Sequence, residues 1–148
     1  MNVEDWLNQV KKLDQLINAK LAERDRLFRM ATDISPNMDG MPHDQTGMPS
    51  QKMQNAVIQL VDLAREIDKL VDKYIDYKQE VVNALEKLPE KEYAVLHRHY
   101  IQYMTFEQIA EELDYSTVQI WRIKKNGLKI LQDVIVCNPI KCYNGIVK

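Results

Sequence analysis

The sequence predicts an all-α protein: an N-terminal long helical hairpin or coiled coil, followed by a three-helix helix-turn-helix domain. Three observations carry this expectation. Apolar residues between Met53 and Leu88 recur at three-four spacing over about five heptads. A second amphipathic pattern runs from Val3 to about Thr32. Two capping boxes, Thr105 with Gln108 and Ser116 with Gln119, open two short helices with only Asp114 and Tyr115 between them.

The first helix is marked by Val3, Trp6, Val10, Leu13, Ile17, Leu21, Leu27 and Phe28, with Lys20 and Arg24 interrupting its seam. The stretch DISPNMDGMPHDQTGMPS then brings three prolines, two glycines and no periodicity, so a mobile loop is expected at 33–51. Its three methionines form an adaptable apolar set in a stretch otherwise read as disordered.

The second helix carries Met53, Ala56, Leu60, Leu63, Ile67, Leu70, Tyr74, Tyr77, Val81, Ala84 and Leu88, widened by Val57, Ala64, Val71 and Leu85. At 1.5 Å per residue it would reach about 55 Å. Its seam is longer and cleaner than the first helix can cover, so a second copy of the chain is expected to bury the remainder, giving a homodimer. Residues 1–87 are thus read as the hairpin, 88–131 as the helix-turn-helix domain and 132–148 as a C-terminal tail, whose β-branched residues, Pro139 and Gly145 are not expected to continue the last helix and leave a short strand pair or a disordered tail.

Upstream of the capping boxes, Pro89 fits a first helical turn, and Val95, Leu96 and Tyr100 give an apolar stripe, which implies a third helix. On the next helix, Ile109, Ala110 and Leu113 recur at helical spacing. Asp114 takes the turn position, where aspartate tolerates a left-handed conformation. On the last helix Ile120, Ile123, Gly127 and Leu131 share the inward side. Gly127 is expected to cost that helix about 1 kcal/mol.

The outward side carries Val118, Trp121, Arg122, Lys125 and Lys129, and residues 116–131 hold four basic residues and no acid. A short cationic helix on a compact scaffold fits a DNA major groove. Trp121 there either meets a thymine methyl or sugar, or is covered by other parts of the protein.

The run from Leu88 to Leu131, with L-P near its start, Y-I before the turn, T-F-E-Q-I-A-E-E-L and a Ser-capped last helix, resembles region 4 of bacterial sigma factors and the related response-regulator domains. The resemblance implies a sigma region-4-like fold. It also implies that Thr117, Val118, Gln119, Trp121 and Arg122 touch bases or phosphates, with Lys125 as a backbone contact; the outward face adds Lys129 on phosphate. Sigma factors usually carry arginines at several of these positions, whereas this chain keeps Arg122 and has Thr, Val, Gln and Trp elsewhere. Across nearly the whole chain, including K-M-Q-N-A-V-I-Q-L-V-D-L and L-P-E-K-E-Y, the sequence also resembles small phage-encoded sigma-like or late-gene regulators. That implies a cytoplasmic regulator from a phage or prophage.

Composition narrows the alternatives. A net charge of −2 over 148 residues confines any nucleic-acid contact to one surface. No apolar run reaches membrane-spanning length and no signal peptide is present, which again points to the cytoplasm. Cys137 and Cys142 lack a second pair or suitably spaced histidines, so free thiols are expected rather than a metal site, and no cofactor is implied. His97 and His99 are sent to different helix faces by their spacing. With no phosphate-cradling loop or nucleophile elbow, an enzyme is not expected.

Two classes remain. The first is a sequence-specific regulator binding double-stranded DNA as a dimer. The second is a protein-interaction module whose coiled coil contacts RNA polymerase or a host sigma factor. Residues 88–131 carry six acids against six basic residues, which keeps the second class open.

Overall fold

The computed structural model describes residues 2–32 and 51–137. They form α1 (Val3–Thr32), α2 (Gln51–Leu85), α3 (Glu90–Leu96), a π-helical turn (His97–Ile101), α4 (Phe106–Leu113) and α5 (Thr117–Cys137). No strand occurs among the described residues, in keeping with the all-α expectation. The loop expected at 33–51 lies outside them except for Gln51, the first residue of α2, and so does the tail beyond Cys137, including Cys142.

One expectation for the C-terminal segment is corrected. Residues 132–137 do not leave the last helix but continue it to Cys137. Leu131 is fully buried and Ile135 packs on the same core, so tertiary packing overrides the weak helix propensity of Val134, Ile135 and Val136.

The chain packs as two units, one of Met1–Leu13 with Tyr74–Lys148, the other of Asp14–Lys73. In the second unit, Ile17 of α1 and Leu63 and Ile67 of α2 are buried, Leu60 and Leu70 are half-buried and Met53 is exposed. Lys20, which breaks the seam of α1, pairs with Glu66 of α2 at 3.1 Å. The residues meant to widen the α2 stripe fare differently. Leu85 is fully buried and Val71 half-buried, whereas Val57 and Ala64 are exposed; Ile58 and Val61 beside them, and Phe28 near the end of α1, also stand in the open.

The first unit has a core built from both ends of the sequence. Val3, Trp6, Leu7 and Val10 of α1 join Tyr77, Val81, Ala84 and Leu85 of α2, and Leu96, Tyr100, Ile101 and Leu131 close the cluster. Each fully buried Leu or Val contributes roughly 1.5 to 3 kcal/mol relative to exposure. Tyr77 lies 6.1 Å from the Trp6 ring and donates its hydroxyl hydrogen to the Trp6 carbonyl at 2.9 Å, which satisfies the one polar atom this ring brings inside. Asn2 accepts from the Glu4 amide at 3.2 Å and so covers a free donor at the start of α1.

A smaller second core of Val95, Ile109, Ala110 and Ile120 holds α3, α4 and α5 together, rimmed by Met104, Phe106, Leu113, Tyr115 and Ile123. Arg98 binds this group from outside, donating from Nη1 to the Ala94 carbonyl at 3.2 Å and reaching Glu112 of α4 with Nε at 3.3 Å.

Candidate nucleic-acid interface

The two capping boxes are formed as the spacing predicts. Thr105 Oγ1 accepts from the Gln108 amide at 3.3 Å and Gln108 Oε1 accepts from the Thr105 amide at 3.0 Å. Ser116 and Gln119 repeat the arrangement at 3.3 and 3.0 Å. Each box satisfies two backbone donors that helix starts leave open. Between the helices, Asp114 adopts φ 56° and ψ 38°, and the Tyr115 amide closes the turn onto the Ala110 carbonyl at 3.0 Å.

This geometry fixes the rotation of α5. Ile120, Gly127 and Leu131 face inward and are buried. A Cβ on Gly127 would stand 2.9 Å from Leu96 Cδ1 and 3.2 Å from Glu92 Cβ, so the missing side chain lets α5 press against α3. Asn126 reinforces the contact by donating to Glu92 Oε1 at 2.9 Å. The helix cost expected of this glycine is therefore the condition for a close crossing.

All seven residues singled out from the sequence, Thr117, Val118, Gln119, Trp121, Arg122, Lys125 and Lys129, are exposed on α5. At 100° per residue, Trp121, Lys125, Val118, Lys129 and Arg122 span one continuous sector, with Thr117 and Gln119 at its edges. Trp121 is 52% exposed, so its ring is open to solvent, and Lys125 Nζ sits 5.1 Å from the ring centre.

Two side chains depart from a simple reading of the pattern. Gln119 spends its carbonyl oxygen on the Ser116 amide and hydroxyl, which leaves only its amide nitrogen to face a ligand. Bidentate pairing with adenine needs both ends of the amide. Lys124 is the fourth cation of the stretch, yet it turns away from the outward sector. Its ammonium reaches Glu4 of α1 at 2.7 Å and lies 5.3 Å from the Phe106 ring. The Lys124 ammonium holds the Glu4 carboxyl below its ordinary titration range, and Tyr100 also donates to that carboxylate at 3.2 Å. Nothing in the local sequence marks Lys124 as different from Lys125; only the helical angle does.

His97 and His99 stay apart. His97 leans on Tyr93 at 5.4 Å, while His99 stacks on Phe106 at 4.4 Å and holds its Nδ1 2.9 Å from the Met104 carbonyl. Burial pushes both rings toward the neutral form. Among the described residues, no cluster of His, Cys, Asp or Glu is placed to hold a metal ion, and no helix is long and apolar enough to cross a membrane.

Residues 84–133, about a third of the chain, match the family model Sigma-70, region 4. The match spans the end of α2, all of α3 and α4, and most of α5, so these residues form a helix-turn-helix of the sigma region 4 kind. No curated protein and no solved structure matches the chain.

Proposed function

We propose that this protein is a sequence-specific transcription regulator that lays α5 in the major groove of double-stranded DNA. The observation that carries the reading is the outward sector of α5, where Arg122, Lys125 and Lys129 stand exposed around Val118 and Trp121 with no acid between Thr117 and Gln132. In this reading Arg122 reaches a base edge and Lys125 and Lys129 meet phosphates, with Thr117 and Gln119 at the margins. Groove binding by such a helix also uses its N-terminal residues, which here follow directly on the Ser116 cap.

Titration of duplex DNA at two salt concentrations tests the proposal. Each phosphate contact adds about −0.9 to the slope of log affinity against log salt, so Lys125→Ala or Lys129→Ala should each flatten it by about one. Arg122→Ala with Lys125→Ala should abolish specific binding and leave the melting temperature within error. Duplex affinity unchanged in that double variant would remove α5 from the groove.

The second reading is contact with RNA polymerase or another sigma factor through the coiled coil. It is favoured by the exposed Val57, Ile58 and Val61 on α2, and predicts duplex binding too weak to depend on α5. The same face bears on self-association. Val57, Val61, Ala64, Asp68 and Val71 follow a four-three heptad spacing beside the buried seam. In parallel pairing Asp68 would meet Asp68 of a second copy. An antiparallel homodimer avoids that like-charge contact and is the form proposed. Light scattering on the wild type and on Val57→Glu with Val61→Glu tests this; a monomeric wild type at micromolar concentration rejects it. Cytoplasmic location and a phage or prophage origin complete the proposal, on the strength of the sequence resemblance described above.

A further inference from the structure

We infer that Val118 and Trp121 form an apolar reading patch for thymine methyl groups, so that α5 selects duplexes carrying thymine at neighbouring base pairs. The inference rests on the groove reading above and adds its base specificity.

Val118 and Trp121 are 58% and 52% exposed, and neither belongs to either buried core. They stand three residues apart in the first two turns of α5, which places them on one face with a separation of about 4.5 Å along the helix. That offset is close to the ~3.4 Å step between base pairs on one strand. The two side chains can therefore address adjacent or next-but-one pairs. Base edges in the major groove offer hydrogen-bonding groups at every pair but only one apolar group, the C5 methyl of thymine.

Three features of the surroundings direct the patch toward nucleic acid. Lys125 Nζ lies over the Trp121 ring, 5.1 Å from its centre, which sets an ammonium within the patch itself. Arg122 and Lys129 are exposed in the same sector, and no acidic residue interrupts Thr117–Gln132. A protein partner selected by apolar contact alone would not require that cationic rim. Gln119, which with Thr117 lies at the margin of the sector, has its carbonyl committed to the Ser116 cap. Specific reading then falls to the apolar pair and Arg122.

The test uses the full-length protein and duplexes enriched by it from a random pool, compared with the same duplexes carrying deoxyuridine for thymidine. This change removes the methyl groups while keeping every hydrogen-bonding group and every phosphate. Burying one methyl group corresponds to about a fourfold gain in affinity, so complete replacement should weaken binding roughly four- to fifteen-fold with an unchanged salt slope. In Val118→Ser with Trp121→Ala the two duplexes should bind equally. Both sites are exposed, and circular dichroism will verify that the variant is folded. Equal binding of both duplexes by the wild type overturns the inference while leaving the groove reading intact. An undiminished preference in the double variant assigns methyl recognition to other residues and also overturns it. Absence of binding to any duplex at low salt rejects the groove reading itself, and the inference with it.

Discussion

Replacing Gly127 by alanine sets two effects of similar size against each other. Alanine is favoured over glycine in a helix interior by about 1 kcal/mol, so on an open surface the change would stabilise α5. Here the new methyl would stand 2.9 Å from Leu96 Cδ1 and 3.2 Å from Glu92 Cβ, inside the ~3.5–4.0 Å of a relaxed carbon contact. Leu96 cannot swing aside, because its side chain is fully buried in the larger core. The helices must separate slightly or Leu96 must leave its rotamer, and such overpacking costs about 1 to 3 kcal/mol. The expected sum is a net loss of about 1 kcal/mol, or roughly 2 to 4 °C in melting temperature. Urea unfolding followed by helical circular dichroism measures it. In a Leu96→Val background, where the encroaching δ-carbon is gone, the same Gly127→Ala change should become neutral or stabilising. A gain near 1 kcal/mol in the wild-type background would show that α3 and α5 are not held as closely as described, and would refute the argument.

Three further outcomes are expected. Asp114→Gly should raise stability by about 0.5 to 1 kcal/mol in the same unfolding assay, because glycine adopts φ of 56° at lower cost than aspartate, which itself tolerates it better than most residues. His99 is held below its usual value of 6.5 by burial, with Lys124 and Lys11 opposing its charge and the Met104 carbonyl and Glu4 favouring it. A depressed folded-state value means that the unfolded chain takes up the proton first. The contribution is complete above pH 6.5 and is lost as pH falls below it. His99→Gln should flatten the stability profile across that range, with His97, shifted the same way, accounting for the slope that remains. Finally, a fragment restricted to residues 84–133 should be largely unfolded by circular dichroism, since it lacks Val3, Trp6, Leu7 and Val10, which fill the core against Leu96 and Leu131.

What could be read from the sequence was whatever is settled within one or two helical turns. Thr105 with Gln108 and Ser116 with Gln119 are local pairs, and the inward side of α5 follows from helical angle alone. The left-handed Asp114 is likewise a property of the residue and its two neighbours. What could not be read depends on partners distant in the chain. Val3, Trp6 and Val10 look like any hairpin seam, and no spacing rule reveals that they meet Leu96 and Leu131. The helical angle turns Lys124 away from Lys125, but that it pairs with Glu4 of α1 is visible in neither segment. The π-helical turn at His97–Ile101, which supplies buried Tyr100 and Ile101, has no cap or breaker to announce it.

The presence of α1 in the core of the helix-turn-helix unit has a consequence for the order in which the molecule can be made. Trp6 waits 71 residues for Tyr77, and Glu4 waits 96 residues for Tyr100 and 120 for Lys124. At 5 to 20 residues per second on the ribosome, the last of these delays is roughly 6 to 24 s. Until the end of α2 is made, Trp6, Leu7 and Val10 remain uncovered, and only helix formation, which takes about a microsecond, can proceed. Pairing α1 with the end of α2 relieves part of this exposure, but Leu131 belongs to the last helix to emerge. A chain interrupted before that residue would present an unfilled core and no complete α5. Binding competence and completed synthesis are thereby tied to the same packing event.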